Sequence, residues 1–248
     1  GIKSVEFDND CARAADEAAA FESRWQGTLA AEAGKSAGGE LAAAIIAYEV
    51  IEELAGRILS FAGLSFFSNT SDPILAKFYG DAQEKMTEVG SRLLFFTLEL
   101  NKIDDKAVDA AMAENPALAK YRPWIEDLRK AKPHQLEDKV EKLFLEQSVA
   151  GRAAWNRLFD ETMSALRFKV GDEELALEAA LNLLQHESPA KRKSASNALA
   201  KTLGANLRLF TQITNTLAKD KEISDRWHNF DDIADSRHLD NRVERAVV

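Results

Sequence analysis

LAAAIIAYEVIEELAGRILSFA (41–62) is the stretch that decides the fold class. Its apolar positions alternate between spacings of four and three residues, and they are Leu41, Ile45, Tyr48, Ile51, Ala55, Ile58 and Ala62. This spacing puts one apolar stripe on one side of an α-helix of about six turns. The most apolar part, 41–51, is too short to span a bilayer and is followed by Glu52 and Glu53. The stretch therefore predicts a long helix packed against other helices.

The same helical period continues along most of the chain. Asp72 before Pro73 is a typical N-cap and first-turn pair, and the stripe that follows predicts the next long helix: Phe78, Met86, Val89, Leu93, Phe96 and Leu100. We expect further helices over about 8–30, 136–166 and 188–217. Ser148 and Gly151 on the stripe of the 136–166 helix indicate close packing of a neighbouring helix, in preference to a ligand niche.

One segment changes period. Leu166, Phe168 and Val170 alternate with polar residues, Gly171-Asp172 can form a turn, and alternation resumes at Leu175 and Leu177. This pattern predicts a β-hairpin. The predicted fold is therefore all-α, a multi-helix array of long antiparallel helices with one small β-hairpin near 166–177.

The charge and the cysteine content exclude some classes of function. The formal net charge is −9, from 32 Lys and Arg against 41 Asp and Glu. Such an acidic chain is not expected to bind nucleic acid, and it has no basic cluster for an anionic membrane. The single cysteine, Cys11, excludes an internal disulfide and fits a reducing cytoplasm. We interpret Cys11 as a packing or surface residue.

LLQHESPAKRK (183–193) contains His186-Glu187, the first two residues of the zinc-peptidase motif H-E-x-x-H. A helical zinc site needs a second histidine four residues later, so that both imidazoles face one ion. Here that position is Ala190, and Pro189 lies between and cannot continue a helix. The dipeptide is therefore predicted to lie in a loop, with no metal bound.

The other histidines are His134, His228 and His238. No carboxylate stands at a ligand-like spacing from any of them. A tertiary metal site built from His228, His238 and Asp235 or Asp240 stays open as a minor alternative to surface, capping and core roles. From spacing alone, the chain is a soluble acidic helical protein.

Four stretches resemble a known family: YRPWIEDLRKAKPHQLEDKVEKLF (121–144), EQSVAGRAAWNRLFDETMSALRF (146–168), ALNLLQHESPAKRKSASNALAKTL (180–203) and NLRLFTQITNTLAKDKEISDRW (206–227). In order along the chain, they are similar to the N-terminal half of oligoendopeptidase F, the bacterial branch of the thimet-oligopeptidase-like zinc peptidases. The similarity is weakest over 1–40.

The resemblance implies a mostly helical peptidase with a deep channel that cuts short peptides in the cytoplasm. In that family an H-E-x-x-H helix and a downstream glutamate bind zinc in the C-terminal half. This sequence contains no H-E-x-x-H. The resemblance therefore carries no catalytic, metal-binding or substrate-binding residue onto this chain. Zinc is expected in the C-terminal half, and this chain is expected to be inactive alone.

The resemblance also implies an organisation and partners. Residues 1–170 would be a helical N-terminal domain and 171–248 the incomplete start of the helical peptidase domain. The chain would form one wall of the substrate channel, with oligopeptides and the C-terminal catalytic half as partners. Trp155, Asn156 and Arg157 are candidate wall residues, of which a helix can direct at most two towards the channel. Exposed apolar surface would favour self-association.

Two hypotheses follow. The start at Gly1 and the end before any zinc motif favour a piece of a zinc oligoendopeptidase. The alternative is a free-standing helical scaffold or peptide-binding protein without catalysis.

Overall fold

A computed structural model describes residues 1–247 of the chain. Its α-helices, in chain order, are α1 (Val5–Trp25), α2 (Leu29–Ala33), α3 (Leu41–Ser68), α4 (Pro73–Lys102), α5 (Asp105–Glu114), α6 (Pro116–Ala119), α7 (Arg122–Lys130), α8 (Asp138–Gln147), α9 (Arg152–Ala165), α10 (Leu177–Asn182), α11 (Pro189–Ala205), α12 (Leu207–Trp227) and α13 (Asp235–Asp240). Short 3₁₀ turns occupy Ser36–Gly38, Lys132–His134, Leu183–Gln185 and Arg245–Val247. Two strands, β1 (Phe168–Val170) and β2 (Glu173–Leu175), form the one small sheet of the described residues. The predicted all-α fold with a small hairpin is confirmed.

The two longest helices follow the predicted pattern. The predicted stripe of α3 is buried, apart from the half-buried Tyr48. At the start of α4, the Asp72 carboxylate accepts hydrogen bonds from the backbone N–H groups of Ile74 (2.8 Å) and Leu75 (3.4 Å). These bonds satisfy donors that a helix N-terminus otherwise leaves free.

The main core lies where α1, α3 and α4 pack together, with α5 to α7 closing one end. Aromatic rings form its centre. Phe96 is fully buried, stacks on Tyr48 with ring centroids 4.8 Å apart, and meets Phe21 edge-on at 5.2 Å. Trp124 of α7 stacks on the same ring at 6.5 Å. Such rings dominate core energetics because each buries a large apolar area.

The predicted first helix over 8–30 is wrong at its C-terminal end. The helix α1 ends at Trp25, and Gly27 adopts a positive φ of 76° before α2 begins. This backbone conformation favours glycine and cannot continue a right-handed helix. The freed Gly27 N–H donates to the Glu99 carboxylate at 2.9 and 3.0 Å.

The predicted single helix over 136–166 is also wrong. It is interrupted between Gln147 and Arg152, and Gly151 has a non-helical ψ of −117°. A Cβ built on Gly151 would lie 3.2 Å from the Gln147 carbonyl oxygen and 3.8 Å from Asp220 Oδ1 of α12. The predicted close packing at this glycine is therefore present, but against a side chain of α12 and at a break between helices.

The predicted helix over 188–217 is divided as well. It begins as expected, with Ser188 at the N-cap and Pro189 in the first turn, but α11 ends at Ala205. Asn206 leaves the helical conformation and its side-chain amide donates to the Thr202 carbonyl at 3.0 Å. Asparagine side chains favour such local bonds over helix continuation. The stripe predicted through Asn206 consequently belongs to two helices.

The hairpin has the predicted position and turn. Phe168 pairs with Leu175 and Val170 with Glu173 in an antiparallel register, and Gly171 has a φ of +65°. Phe168 is fully buried in a second, smaller core with Ala180, Ala198 and Leu199. The division into 1–170 and 171–248 stays a prediction.

The later helices bury little of their apolar surface. Within the described residues, α8 and α9 have no buried side chain and α12 buries only Ile213. Large apolar side chains are exposed along this part of the chain: Leu143, Leu158, Phe159, Leu181, Leu184, Leu207, Trp227 and Ile233. Across 1–247, every helix is too short or too polar to span a membrane.

Candidate functional site

A cluster of polar and aromatic side chains joins α8 to the end of α12, and we call it the histidine junction (His134, Glu141, Phe144, Ser224, His228 and Phe230). His228 Nε2 lies 3.4 Å from Glu141 Oε2, and both side chains are mostly buried. His228 Nδ1 donates to the Ser224 carbonyl oxygen at 2.7 Å. With an acceptor at each ring nitrogen, the surroundings of His228 favour the doubly protonated imidazolium.

The electrostatics of the two residues agree with this arrangement. The hydrogen bond to Glu141 raises the pKa of His228, against the opposing effect of burial. Burial alone would raise the pKa of Glu141, but hydrogen bonds from His228 and from the Leu136 N–H lower it overall. The contact therefore favours the charged form of each group.

His134 extends the junction. Its Nδ1 donates to the His228 carbonyl oxygen at 2.8 Å, and its ring stacks on Phe230 with centroids 3.9 Å apart. Phe144 packs edge-on against His228 at 5.4 Å. Two histidines that sequence spacing leaves unassigned thus connect the 132–147 segment to the C-terminal end of α12.

Ser224, His228 and Glu141 contain the residue types of a serine hydrolase, but their geometry does not support nucleophilic catalysis. The Ser224 Oγ lies 3.4 Å from His228 Nδ1, which is already committed to a backbone carbonyl. A general base needs a free lone pair on the nitrogen that faces the nucleophile. Ser224 also lies inside α12, where backbone N–H groups are used by the helix. The junction is a structural connection.

His186 and Glu187 lie in the loop between α10 and α11, as predicted. His186 Nδ1 accepts a hydrogen bond from the Ser188 N–H at 3.0 Å, and Arg192 donates to both the His186 and Glu187 carbonyls. The dipeptide therefore shapes the start of α11.

The residues present do not fit a zinc ion. Among residues 1–247, no three His, Cys, Asp or Glu side chains lie close enough together to bind a metal. His228 contacts Glu141 instead of His238. Asp235 accepts a backbone hydrogen bond from Asp232 and lies 3.8 Å from Arg245, while Asp240 is exposed. The minor alternative of a tertiary metal site is therefore not supported.

Two open grooves, which we call the α4 grooves, run along α4 and share Glu88 and Arg92. The first, between α1 and α4, has a volume of about 620 Å³. The second, between α4 and α8, has a volume of about 510 Å³. Acidic, basic and neutral polar residues line them, among them Asp8, Glu22, Lys85, Ser91, Lys142 and Glu146.

Some of the side chains in the α4 grooves are paired with one another. Arg92 bonds to Glu22 at 2.8 Å, and the Ser91 hydroxyl donates to Glu146 Oε1 at 2.8 Å. Cys11 borders the first groove, but burial raises the pKa of its thiol and so reduces its reactivity. The α4 grooves are therefore open and polar, and the cysteine that borders them is not an activated nucleophile.

The three candidate wall residues differ in their surroundings. Arg157 is half-buried and donates from Nη1 to Gln83 Oε1 of α4 at 2.6 Å. Trp155 is also half-buried, whereas Asn156 is exposed. The structure therefore connects Arg157 to α4 and leaves Asn156 facing solvent.

A family model described as Oligopeptidase F matches residues 99–168, from the last turn of α4 to β1. The predicted resemblance to oligoendopeptidase F is confirmed. Oligopeptidase PepF of Bacillus subtilis (strain 168) is 25% identical over 179 residues, covering 69% of this chain and 27% of that protein.

A solved structure shares the fold. The crystal structure of oligoendopeptidase-F from Enterococcus faecium matches 98% of this chain with a TM-score of 0.85 and 20% identity. At that identity the likeness concerns the fold alone. The match covers 48% of the solved chain. This chain thus spans less than half the length of either oligopeptidase that it resembles.

Proposed function

We propose that this chain is the non-catalytic N-terminal part of a zinc-dependent oligoendopeptidase that hydrolyses short peptides. The observation that carries the proposal is the match of 98% of the chain to 48% of oligoendopeptidase-F from Enterococcus faecium. The oligopeptidase family model over 99–168 supports the same assignment from sequence. Zinc would be bound outside residues 1–248, since the residues described here do not fit it.

The uneven burial of side chains along the chain supports the proposal that a catalytic half packs against it. The helices α1 to α7 surround the aromatic core, whereas α8 and α9 have no buried side chain and α12 buries only Ile213. Leu158, Phe159 and Trp227 of these later helices are exposed. Contiguous exposed apolar surface usually marks an interaction site. In our proposal the catalytic half covers this later surface.

The α4 grooves support a role in one wall of the substrate channel. They are open and lined by charges of both signs, of which Arg92 and Glu22 form an ion pair. Such a wall would contact the backbone and termini of a peptide without recognising a specific amino-acid sequence. A channel of this kind excludes folded proteins by width, and oligopeptides are accordingly the proposed substrates. We place the parent enzyme in the cytoplasm, in agreement with the single reduced Cys11.

The first test is the coding sequence downstream of codon 248. We expect an open frame of about the length of this chain or more, containing H-E-x-x-H. A natural stop codon directly after Val248 would overturn the proposal and support the free-standing scaffold.

The second test is biochemical and uses residues 1–248 alone. Zinc content and cleavage of a quenched fluorescent peptide are both expected to be at background. Stoichiometric zinc with metal-dependent turnover would show that the chemistry lies on this chain. Saturable peptide binding by fluorescence anisotropy at micromolar concentration, abolished by Arg92→Glu and retained in Arg13→Glu, would favour an independent peptide-binding module.

A further inference from the structure

The outward face of α3 carries a second, unexpected stripe. Its residues follow strict alternating spacings of three and four, and all of them are exposed: Ala43, Ile46, Val50, Glu53, Arg57, Ser60, Leu64 and Phe67. Leu64 is 72% exposed, Phe67 57% and Val50 54%. Apolar residues at such a 3–4 spacing form the seam between two packed helices. Here they occupy the two ends of the stripe, whereas Glu53, Arg57 and Ser60 occupy its middle.

The seam is separate from the faces of α3 that are already used, except that the Phe67 ring also contacts Tyr79 of α4 at 5.9 Å. The other sides of α3 pack against α1, α2, α4 and α6. Helices that are apolar nearly all round are normally buried, and α3 is interrupted by charge at only Glu49, Glu52, Glu53 and Arg57. The seam also lies on the complete helical core, whereas the surface assigned above to the catalytic half lies on α8 to α12.

Two antiparallel copies of the seam place complementary residues opposite each other. Two copies of α3 that run antiparallel about a two-fold axis near Ala55 would pair Ile46 with Leu64, and Ala43 with Phe67. The same axis pairs Val50 with Ser60 and Glu53 with Arg57. Each pairing occurs twice, as a two-fold interface requires. The central layers then hold opposite charges, the layers next to them pair Val50 with Ser60, and the outermost layers hold apolar pairs.

We propose that the outward face of α3 is a homodimer interface, in which a second copy of this chain packs antiparallel along the seam. The charges decide the direction. A parallel pair in register would set Glu53 against Glu53 and Arg57 against Arg57, which is repulsive, whereas the antiparallel register forms two ion pairs. Polar residues in such a seam fix register and orientation more than they add stability. Glu49, beside the seam, is bonded by the Tyr121 hydroxyl of its own copy at 2.6 Å.

The first experiment is a charge exchange, followed by analytical ultracentrifugation over roughly 1–100 μM, a range that resolves weak dimers. The wild-type chain is expected to dimerise. Arg57→Glu and Glu53→Arg each place like charges in both central layers, and each is expected to weaken the dimer at least about tenfold. The double exchange restores opposite charges and should restore dimerisation. Circular dichroism checks that every variant keeps its helix content.

The second experiment tests the register by cross-linking with a short bismaleimide in a Cys11→Ala background. The pair Val50→Cys and Ser60→Cys should yield a covalent dimer, because residue 50 of one copy faces residue 60 of the other. Val50→Cys alone is the matched control. Its two copies would lie about 15 Å apart along the axis and should not be linked.

Three results would overturn the proposal. A wild-type chain that sediments as a monomer throughout the range excludes the interface. A dimer that persists in Arg57→Glu places the contact elsewhere, for instance on the exposed surface of α8 to α12. Efficient cross-linking through Val50→Cys alone indicates a parallel pair and excludes the register.

Discussion

His228 Nε2 lies 3.4 Å from Glu141 Oε2, and this contact joins residues 87 positions apart in the chain. It holds α8 against the end of α12, in the part of the molecule with the fewest buried side chains. The charge state of the pair should therefore affect how firmly this part is folded.

The pair predicts a pH dependence of stability. The pKa of His228 is raised above its ordinary value of 6.5, so its contribution is complete below that pH and is lost as pH rises through the raised value. The pKa of Glu141 is lowered from 4.5, so its contribution is lost only on acidification. The free energy of unfolding should thus fall as the pH rises from about 6.5 through the raised pKa of His228.

Glu141→Gln isolates that effect. At about pH 6 the variant should lose about 1–3 kcal/mol of stability, because the imidazolium keeps a weaker, neutral partner, and its decline towards pH 8 should flatten. Urea denaturation at both pH values measures this, with exposed Glu161→Gln as the control. An equal decline in Glu141→Gln and the wild type would show that another group titrates.

The N-cap of α4 predicts a local stability loss. Asp72→Ala removes the acceptor for the Ile74 and Leu75 N–H groups and should cost about 0.5–2 kcal/mol. Asp81→Ala, on the same helix, removes only an exposed ion pair with Lys77 and should cost less than about 0.5 kcal/mol. Chemical denaturation of the two variants compares them directly, and equal losses would contradict the capping role.

Substituting alanine for Gly38 and for Gly80 should change the stability of the chain in opposite directions. Gly38 has a φ of +71°, and a Cβ there would lie 2.7 Å from Ala111 Cβ. Gly38→Ala should therefore destabilise the chain by about 1–3 kcal/mol. Gly80, inside α4, has open space around it, so Gly80→Ala should stabilise by about 0.5–1 kcal/mol. Thermal melts that shift in the same direction for both would refute this reading.

The aromatic core predicts the largest single loss. Phe96 is fully buried among Phe21, Tyr48 and Trp124, and Phe96→Ala should cost about 3–5 kcal/mol through lost contacts and a cavity. Phe159 is 41% exposed, and Phe159→Ala should cost much less. The midpoints of urea unfolding provide the measurement. A comparable loss at Phe159 would mean that its exposed face is covered in solution.

The sequence predicted those helices for which the apolar spacing and the capping residues indicate the same bounds. For α3 the stripe alone was sufficient, and for α4 Asp72-Pro73 also marked the start. The breaks at Gly151 and Asn206 were missed because the apolar spacing continues in phase across both. Gly204 followed by Asn206 is a C-terminal signal that could have revealed the second break.

The histidine junction could not be predicted in this way. His228 and Glu141 lie on different helices, and their contact depends on how α8 and α12 pack, which no local spacing specifies. The resemblance to oligoendopeptidase F predicted the fold, but it transferred no catalytic residue, since the zinc motif of that family is missing from this sequence. The α4 grooves are likewise products of helix packing.

The turn at Gly171 is a suitable site for inserting a label. It is exposed, a Cβ there would meet no atom within 4 Å, and Asp172 and Glu173 beside it also face solvent. Short insertions are best tolerated at such tips. A fluorophore or small epitope placed between Gly171 and Asp172 would therefore report on assembly of this chain with other proteins while leaving both cores and the α3 seam untouched.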